Sequence, residues 1–285
     1  MDRIDLHAHT MHSDGSLRPA ALVELARQVG LRALAVTDHD TTAGVAEALE
    51  AGRSLGVEVI PGIELTARWP TRAMHVLAYG FDAREKGFAG VLAEVRAGRA
   101  ERNPRILARL VELGVPVTIE EVRAESGGDV LGRPHIARAM VRKGYALDVK
   151  AAFAMWLKDG GPAFVPAESV EPFEVLAAVR GAGGVTVLAH PRQLRLDGAA
   201  GVEALFRELA AKGLGGVEVD HPSHNAEDRA LYRRLAAELD LVASGGSDFH
   251  GETKPDIRLG VGNGTIEVPY ATWEALRARC AALAA

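Results

Sequence analysis

Seven short apolar runs are spread along this chain, and each carries a histidine or carboxylate expected at the C-terminal end of a strand. They are IDLHAHT (His7, His9), LAVTDHD (Asp38, His39, Asp40), VEVIPGIELT (Glu64), MHVLAYG (His75), GVTVLAHP (His190), GVEVDHP (His221) and LVASGGSDFH (Asp248, His250). A polar group set in an apolar strand is costly to bury without a partner. One such histidine would mean little, but seven runs built alike need a common explanation. At the C-terminal rim of a barrel of parallel strands, side chains from distant parts of a sequence meet in one cleft. The pattern predicts one barrel carrying one polynuclear metal site.

The segments between the runs agree with a barrel. PAALVELARQVG and TAGVAEALEAGRSLG follow the first two runs with helical periodicity, and Gly30 and Gly56 stand where a left-handed residue closes a helix before the next strand. Strand and helix alternating in this way give βαβ units and a parallel sheet. The alternation breaks after residue 80 and resumes with GGVTVLAHP at 183–191, a gap too long for one crossover helix. Helical periodicity recurs inside it, in FAGVLAEVRAGRAERNPRILARLVELG, TIEEVRAES, RPHIARAMVRKG and DVKAAFAMWLKDG. The expectation is an α/β barrel made from 1–84 and 168–285, with a helical subdomain over 85–167 inserted as a lid above the rim.

Composition sets the outer limits. A chain of 285 residues with 48% hydrophobic content suits one barrel and an insertion. Its net charge of −5 argues against adhesion to nucleic acid over the whole surface, yet leaves room for a local arginine pocket. Cys280 is the single cysteine, which excludes an internal disulfide and a cysteine zinc site. No basic and apolar signal region precedes the strand at Ile4, and no apolar run approaches ~18 residues, so the expected location is cytoplasmic, away from membranes. No protein partner is implied.

His7 and His9, two apart on a strand, project on one face and can chelate one ion. Asp14, in the turn sequence HSDGS, can deliver a carboxylate from the following loop to a second ion. Asp248 and His250 repeat the spacing of two, and Glu64 adds a carboxylate able to bridge cations. A donor set of oxygen and nitrogen without sulfur suits Mn²⁺, Fe²⁺ or Zn²⁺ in catalytic sites.

HAHT-x-x-SDG, TDHD, the glutamate after IPGIE, AHP and SDFH together resemble the motifs of the polymerase and histidinol phosphatase (PHP) superfamily, across essentially the whole barrel. The resemblance implies a distorted (β/α)7 barrel and a trinuclear site holding three divalent ions, Mn²⁺ foremost. It implies His7, His9, Glu64 and Asp248 on the first ion, Asp14, His39 and His250 on the second, and Glu64, His75 and His190 on the third. The standalone size, the insertion after the fourth strand and the GRAERNPRI segment look like the branch of 3′,5′-nucleotide bisphosphate phosphatases, some members of which also act as 5′-to-3′ exoribonucleases.

Clustered cations of this kind would offer hydroxide at neutral pH and Lewis-acid contacts to a phosphate, which is equipment for phosphoester hydrolysis. By resemblance, the reaction is removal of the 3′-phosphate from a nucleoside 3′,5′-bisphosphate such as adenosine 3′,5′-bisphosphate. The remaining phosphate then needs cations of its own. Arg99 and Arg102, three apart on a predicted helix, are candidates, with Asn103 before a Pro104 expected to interrupt that helix. Arg133, Pro134 and His135 form a second candidate contact, and Asp40 is a candidate for a ribose hydroxyl. His221 or His12 could donate a proton to the leaving oxygen, with support of a ligand an equal reading for His221. Three alternatives stand beside this. One is an exonuclease or phosphodiesterase on short RNA or DNA. Another is a histidinol phosphate phosphatase, with Glu218 or Asp220 facing the ammonium group. The last is a PHP module that binds without catalysis.

Overall fold

The structure, a computed structural model, describes residues 2–70, 73–166 and 170–284. Eight strands form one sheet: β1 (Arg3–Asp5), β2 (Ala33–Val36), β3 (Glu58–Ala67), β4 (Met74–Tyr79), β5 (Val185–Leu188), β6 (Gly216–Asp220), β7 (Val242–Gly245) and β8 (Val268–Pro269). Their spatial order is β7-β6-β5-β4-β3-β2-β1-β8. The seven expected strands are all present, and β8 is a two-residue addition paired antiparallel to β1.

The sheet curls until its ends nearly meet. His9 N–H donates to the Phe249 carbonyl at 2.9 Å and Asp248 N–H to the His7 carbonyl at 2.9 Å, joining the continuations of β1 and β7. Gly246 permits this approach, since a Cβ there would lie 2.3 Å from the His7 Cβ. The buried Asp5 carboxylate clips the same seam, accepting from the backbone N–H groups of His7, Ser247 and Gly260 at 3.2, 2.9 and 2.7 Å.

The fourth strand corrects one expectation. β4 runs antiparallel to both β3 and β5, so His75 lies at its start and not at its C-terminal end. Reversal carries it to the same rim as the ligands that end parallel strands. The connection over 68–73 is too short for a parallel crossover, which takes a dozen or more residues.

Helices α1 (Pro19–Gln28), α2 (Val45–Leu55), α7 (Pro172–Gly181), α8 (Gly198–Ala211), α9 (Ala226–Glu238) and α10 (Tyr270–Ala284) cover the barrel. Inside it, Ile4, Leu6, Leu77, Tyr79 and Val187 fill the space below the rim. Between β4 and α7 come α3 (Lys86–Glu112), α4 (Ile119–Arg123), α5 (Arg133–Arg142) and α6 (Val149–Ala152), the last continued by a π-helical turn over Phe153–Leu157. These have an apolar cluster of their own, with Ile106, Leu110, Val122, Ile136, Met140 and Leu157 at its centre. Phe88 and Val95 of α3 belong instead to the barrel's cluster, so the apolar division falls inside α3 and not at residue 85. The boundary expected at 167/168 lies outside the described residues.

Pro104 does not interrupt α3, which is continuous from Lys86 to Glu112. The proline leaves the Ala100 carbonyl without its helical donor, but Ala100 is exposed to water, and buried Ile106, Leu107 and Leu110 hold the following turns in place. No helix among the described residues is long and apolar enough to cross a membrane.

Candidate metal centre

The nine side chains expected as ligands converge on the barrel rim, with Glu64 in the middle. Glu64 Oε2 lies 3.2 Å from His7 Nε2, 3.3 Å from His9 Nε2 and 3.1 Å from His39 Nδ1. Its Oε1 lies 3.0 Å from His75 Nδ1 and 2.9 Å from His190 Nε2. Asp248 Oδ1 stands 3.6, 3.4 and 3.5 Å from His7, His9 and His250. Asp14 Oδ1 is 3.2 Å from His250 Nε2, and its Oδ2 is 3.9 Å from His39 Nε2. Sets able to share an ion are His9, Asp14, His39 and His250; His7, His9 and Asp248; His7, Glu64 and His190; His39, Glu64 and His75; and His7, Glu218 and His221. His9 thus joins the Asp14 set, and His75 pairs with His39 more closely than with His190.

The donor set fits divalent cations. His7 Nε2, His9 Nε2, His39 Nδ1, His75 Nδ1 and Glu64 Oε2 are buried without a hydrogen-bond partner among the described residues, a costly arrangement unless the lone pairs serve something else. Two ligand atoms each about 2.1 Å from one ion are roughly 3.0–3.4 Å apart, close to most of the separations around Glu64. Neighbouring groups orient the rings. His7 Nδ1 pairs with Glu218 Oε1 at 2.9 Å and His250 Nδ1 with the Asp248 carbonyl at 2.7 Å, which leaves each Nε2 lone pair facing the cluster. Asp38 accepts from Thr10 N–H and Ser13 Oγ, both at 2.7 Å, and so fixes the loop that carries Asp14.

Electrostatics agree. Burial raises the Glu64, Asp14 and Asp248 carboxyls, but the surrounding imidazoles, with Lys254 at Asp248, outweigh it and hold all three well below the ordinary range. Burial pushes His39 well down and His250 down, leaving neutral imidazoles as ligation requires. For His9 burial also acts downward, yet the Asp248 and Glu64 carboxylates beside it lift it to about 9. A cation bound there would favour the neutral imidazole. Three residues at this rim, Asp40, His190 and Asp248, have φ of 53°, 28° and 55°, a strained backbone of the kind that clusters at functional sites.

Residues 5–153 match the PHP domain family. The chain belongs to the PHP family. It is 31% identical to the 3′,5′-nucleoside bisphosphate phosphatase of Chromobacterium violaceum over 280 residues, 98% of each chain. It is 34% identical to a 5′-3′ exoribonuclease of Haemophilus influenzae over 248 residues, 87% of this chain and 90% of that one. A solved structure from Bifidobacterium adolescentis, provisionally described as a metal-dependent phosphoesterase, shares 37% identity with a TM-score of 0.85 over 97% of this chain and 96% of its own. The protein is a PHP-family phosphoesterase, a metal-dependent hydrolase of phosphate esters.

Above the PHP rim, the insertion closes over a cavity of about 180 Å³ lined by Asp14, His39, His75 and His250 from the barrel and by Arg99, Arg102, Arg133, Pro134 and His135 from the insertion. Arg102 is buried, donates from Nε to the Val165 carbonyl at 3.0 Å, and forms no ion pair among the described residues. Burial, with Arg133 and Arg99 adding to it, pulls this guanidinium down to about 9. Arg133 is held by Asp159 and the Leu157 carbonyl at 2.8 and 2.9 Å. His135 accepts from Gly132 N–H at 3.0 Å, and burial drops it to about 4.

Other expectations are corrected. Asp40 is fully buried, accepting from Thr66 N–H and Oγ1 at 2.8 Å each and from Arg99, so it aims Arg99 and does not reach a ribose. Asn103 lines an adjoining groove and not this cavity, and donates to the Leu131 carbonyl at 3.1 Å. His12 packs between Gly44 and Gly128, outside the cluster. His221 stands beside it, Nε2 3.5 Å from Asp248 Oδ2 and Nδ1 2.8 Å from Ser223 Oγ. Glu218 is fully buried against His7 and the His190 N–H, and Asp220 pairs with Arg233 at 2.8 Å, so neither faces a substrate ammonium. Sequence reasoning missed Thr66, although a spacing of two from Glu64 put it on the same strand face. It also missed Lys254, which lines the cavity with Nζ 2.6 Å from Asp248 Oδ2; a lysine in the polar turn GETKP carries no signal of this.

Proposed function

We propose that this phosphoesterase is a cytoplasmic enzyme that removes the 3′-phosphate of nucleoside 3′,5′-bisphosphates, giving a nucleoside 5′-monophosphate and phosphate. The residues that would hold its metals are His7, His9, Asp14, His39, Glu64, His75, His190, Asp248 and His250, with three divalent ions, Mn²⁺ first, as the complement. When bound, such ions supply activated water and Lewis acidity toward the reacting phosphate. The observation that carries the reading is Arg102. A buried guanidinium without an ion pair among the described residues, opening into the same cavity as the histidine and carboxylate cluster, calls for an anion of its own. A ligand with two phosphates meets both demands at once.

In this reading Asp40 and Thr66 aim Arg99, Arg102 grips the phosphate that does not react, and the segment 85–167 shields the cavity from bulk water as a lid. His221 orients Asp248 from Nε2. A second reading is favoured by one feature: a groove of about 540 Å³, lined by Arg96, Arg99 and Arg123, opens beside the cavity and would admit a longer chain. That is the exonuclease alternative.

Phosphate release by the Mn²⁺-loaded protein separates them, using adenosine 3′,5′-bisphosphate beside 3′-AMP, 5′-AMP, histidinol phosphate and a 5′-phosphorylated trinucleotide. Release from the bisphosphate with 5′-AMP as product, and little from either monophosphate, is expected. An inert bisphosphate with a trinucleotide that loses mononucleotides would replace the first reading with the second.

A further inference from the structure

The metal cluster and the arginines leave one cation in the cavity unexplained. Lys254 Nζ sits 2.6 Å from Asp248 Oδ2, and its side chain keeps 41% of its exposure, open to the cavity it lines. Its position is built. Thr253 Oγ1 donates to the Asp14 carbonyl at 3.1 Å, and Arg138 of α5 donates to Thr253 Oγ1 at 3.1 Å, to the same carbonyl at 3.3 Å and to the Glu125 carbonyl at 2.9 Å. Glu252 N–H donates to Ser16 Oγ at 2.9 Å. The turn bearing Lys254 is thus tied both to the loop bearing Asp14 and to the insertion.

Lys254 does more than any other neighbour to hold the Asp248 carboxyl down, but that pairing occupies only part of an ammonium already set beside a crowded carboxylate. Its Oδ1 and Oδ2 already face four imidazoles, those of His7, His9, His250 and His221, within 3.6 Å. A fixed ammonium against a carboxylate that also serves a metal repels that metal and weakens the donor. An anion in the cavity offsets the repulsion. An ammonium has three donors, and Asp248 takes one. The others have no partner among the described residues, in a cavity to which the barrel contributes Lys254 and the insertion Arg102.

We propose that Lys254 is a substrate-contacting residue, the barrel-side half of a two-sided phosphate clamp whose other half is Arg102 on the insertion. The proposal rests on the reading that the cavity takes a phosphate dianion, and its test uses inorganic phosphate so that it does not depend on nucleotide preference. Lys254→Met and Lys254→Arg are prepared with Mn²⁺, bound metal is counted per chain, and phosphate binding is titrated by calorimetry. The expected result is wild-type metal content in both, phosphate affinity lowered about tenfold or more in Lys254→Met, and most of it restored in Lys254→Arg. Unchanged phosphate affinity in Lys254→Met would overturn the proposal. So would a loss of phosphate binding that merely follows a loss of metal in both variants, which marks a prop for Asp248. If Lys254→Met does not fold, Lys254→Gln takes its place under the same criteria. A wild-type protein that binds phosphate but leaves bisphosphates intact would sink the proposed reaction and leave this inference standing.

Discussion

The barrel rim and the insertion both present polar groups to one cavity, but they present opposite problems. The rim crowds carboxylates and imidazoles whose buried lone pairs lack donors, as at Glu64 Oε2 and His7 Nε2. On the insertion Arg99 and Arg133 have carboxylate partners, whereas buried Arg102 has only a backbone carbonyl among the described residues. The unpartnered lone pairs of the rim call for cations, and Arg102 calls for an anion. A metal-bound phosphate ester satisfies both, which is why neither surface is intelligible alone.

The contrast breaks most completely at Glu64, which faces five imidazoles. Glu64→Gln is expected to cut bound metal below the wild-type count and lower kcat/KM by roughly 10³-fold or more. Full metal content with near-normal turnover would remove the rim from the chemistry. Arg102→Met tests the other surface: kcat/KM for a bisphosphate should fall on the order of 10²-fold, with a loss at least tenfold smaller on an aryl phosphate that lacks a second charge. Equal losses on both substrates would mean that Arg102 grips the reacting phosphate or only holds the fold.

Glu218→Gln sharpens the view of the rim from beneath. Glu218 aims His7, so metal affinity is expected to drop about tenfold while excess Mn²⁺ restores most activity, as chelator titration would measure. No change in affinity would reduce Glu218 to packing. The smallest effect lies outside both surfaces, at His224, whose Nδ1 contacts the Val219 carbonyl at 2.9 Å and which burial holds at about 4. The unfolded chain takes up that proton below about 6.5 while the folded one refuses it, so its stabilising effect is complete above that pH and fades as pH falls toward about 4. His224→Gln should therefore lose less stability than wild type between pH 7 and pH 5, by roughly 2–4 °C in Tm measured in chelator. Parallel loss in both proteins would count against the depressed pKa.

Most of the rim was legible in advance because its candidate donors, Asp14 apart, are short side chains on strands or just past their ends. His7 with His9, and Asp248 with His250, obey the period of two, and a buried ionisable group on an apolar strand has few other uses. Arg99 and Arg102 were found by helical spacing, but their different fates were not: Arg99 is tied to Asp40 and Thr66, whereas Arg102 is left to a carbonyl. Asp40 could not be read at all from its place after His39. Its partners, Thr66 and Arg99, are 26 and 59 residues away.

By itself, the sequence determined the alternation of strand and helix, the long helical interruption and which histidines and carboxylates gather at the rim. Each is a local property, set by side-chain periodicity and by the cost of burying polar groups. Tertiary structure alone decided the reversal of β4 that brings His75 to the rim, the unbroken course of α3 through Pro104, the pairing of Glu218 with His7 and the placement of Lys254 against Asp248. Those outcomes depend on which groups meet across the closed sheet and beneath the insertion. Distance along the chain does not encode them, since a buried charge takes whatever partner the packing brings within reach.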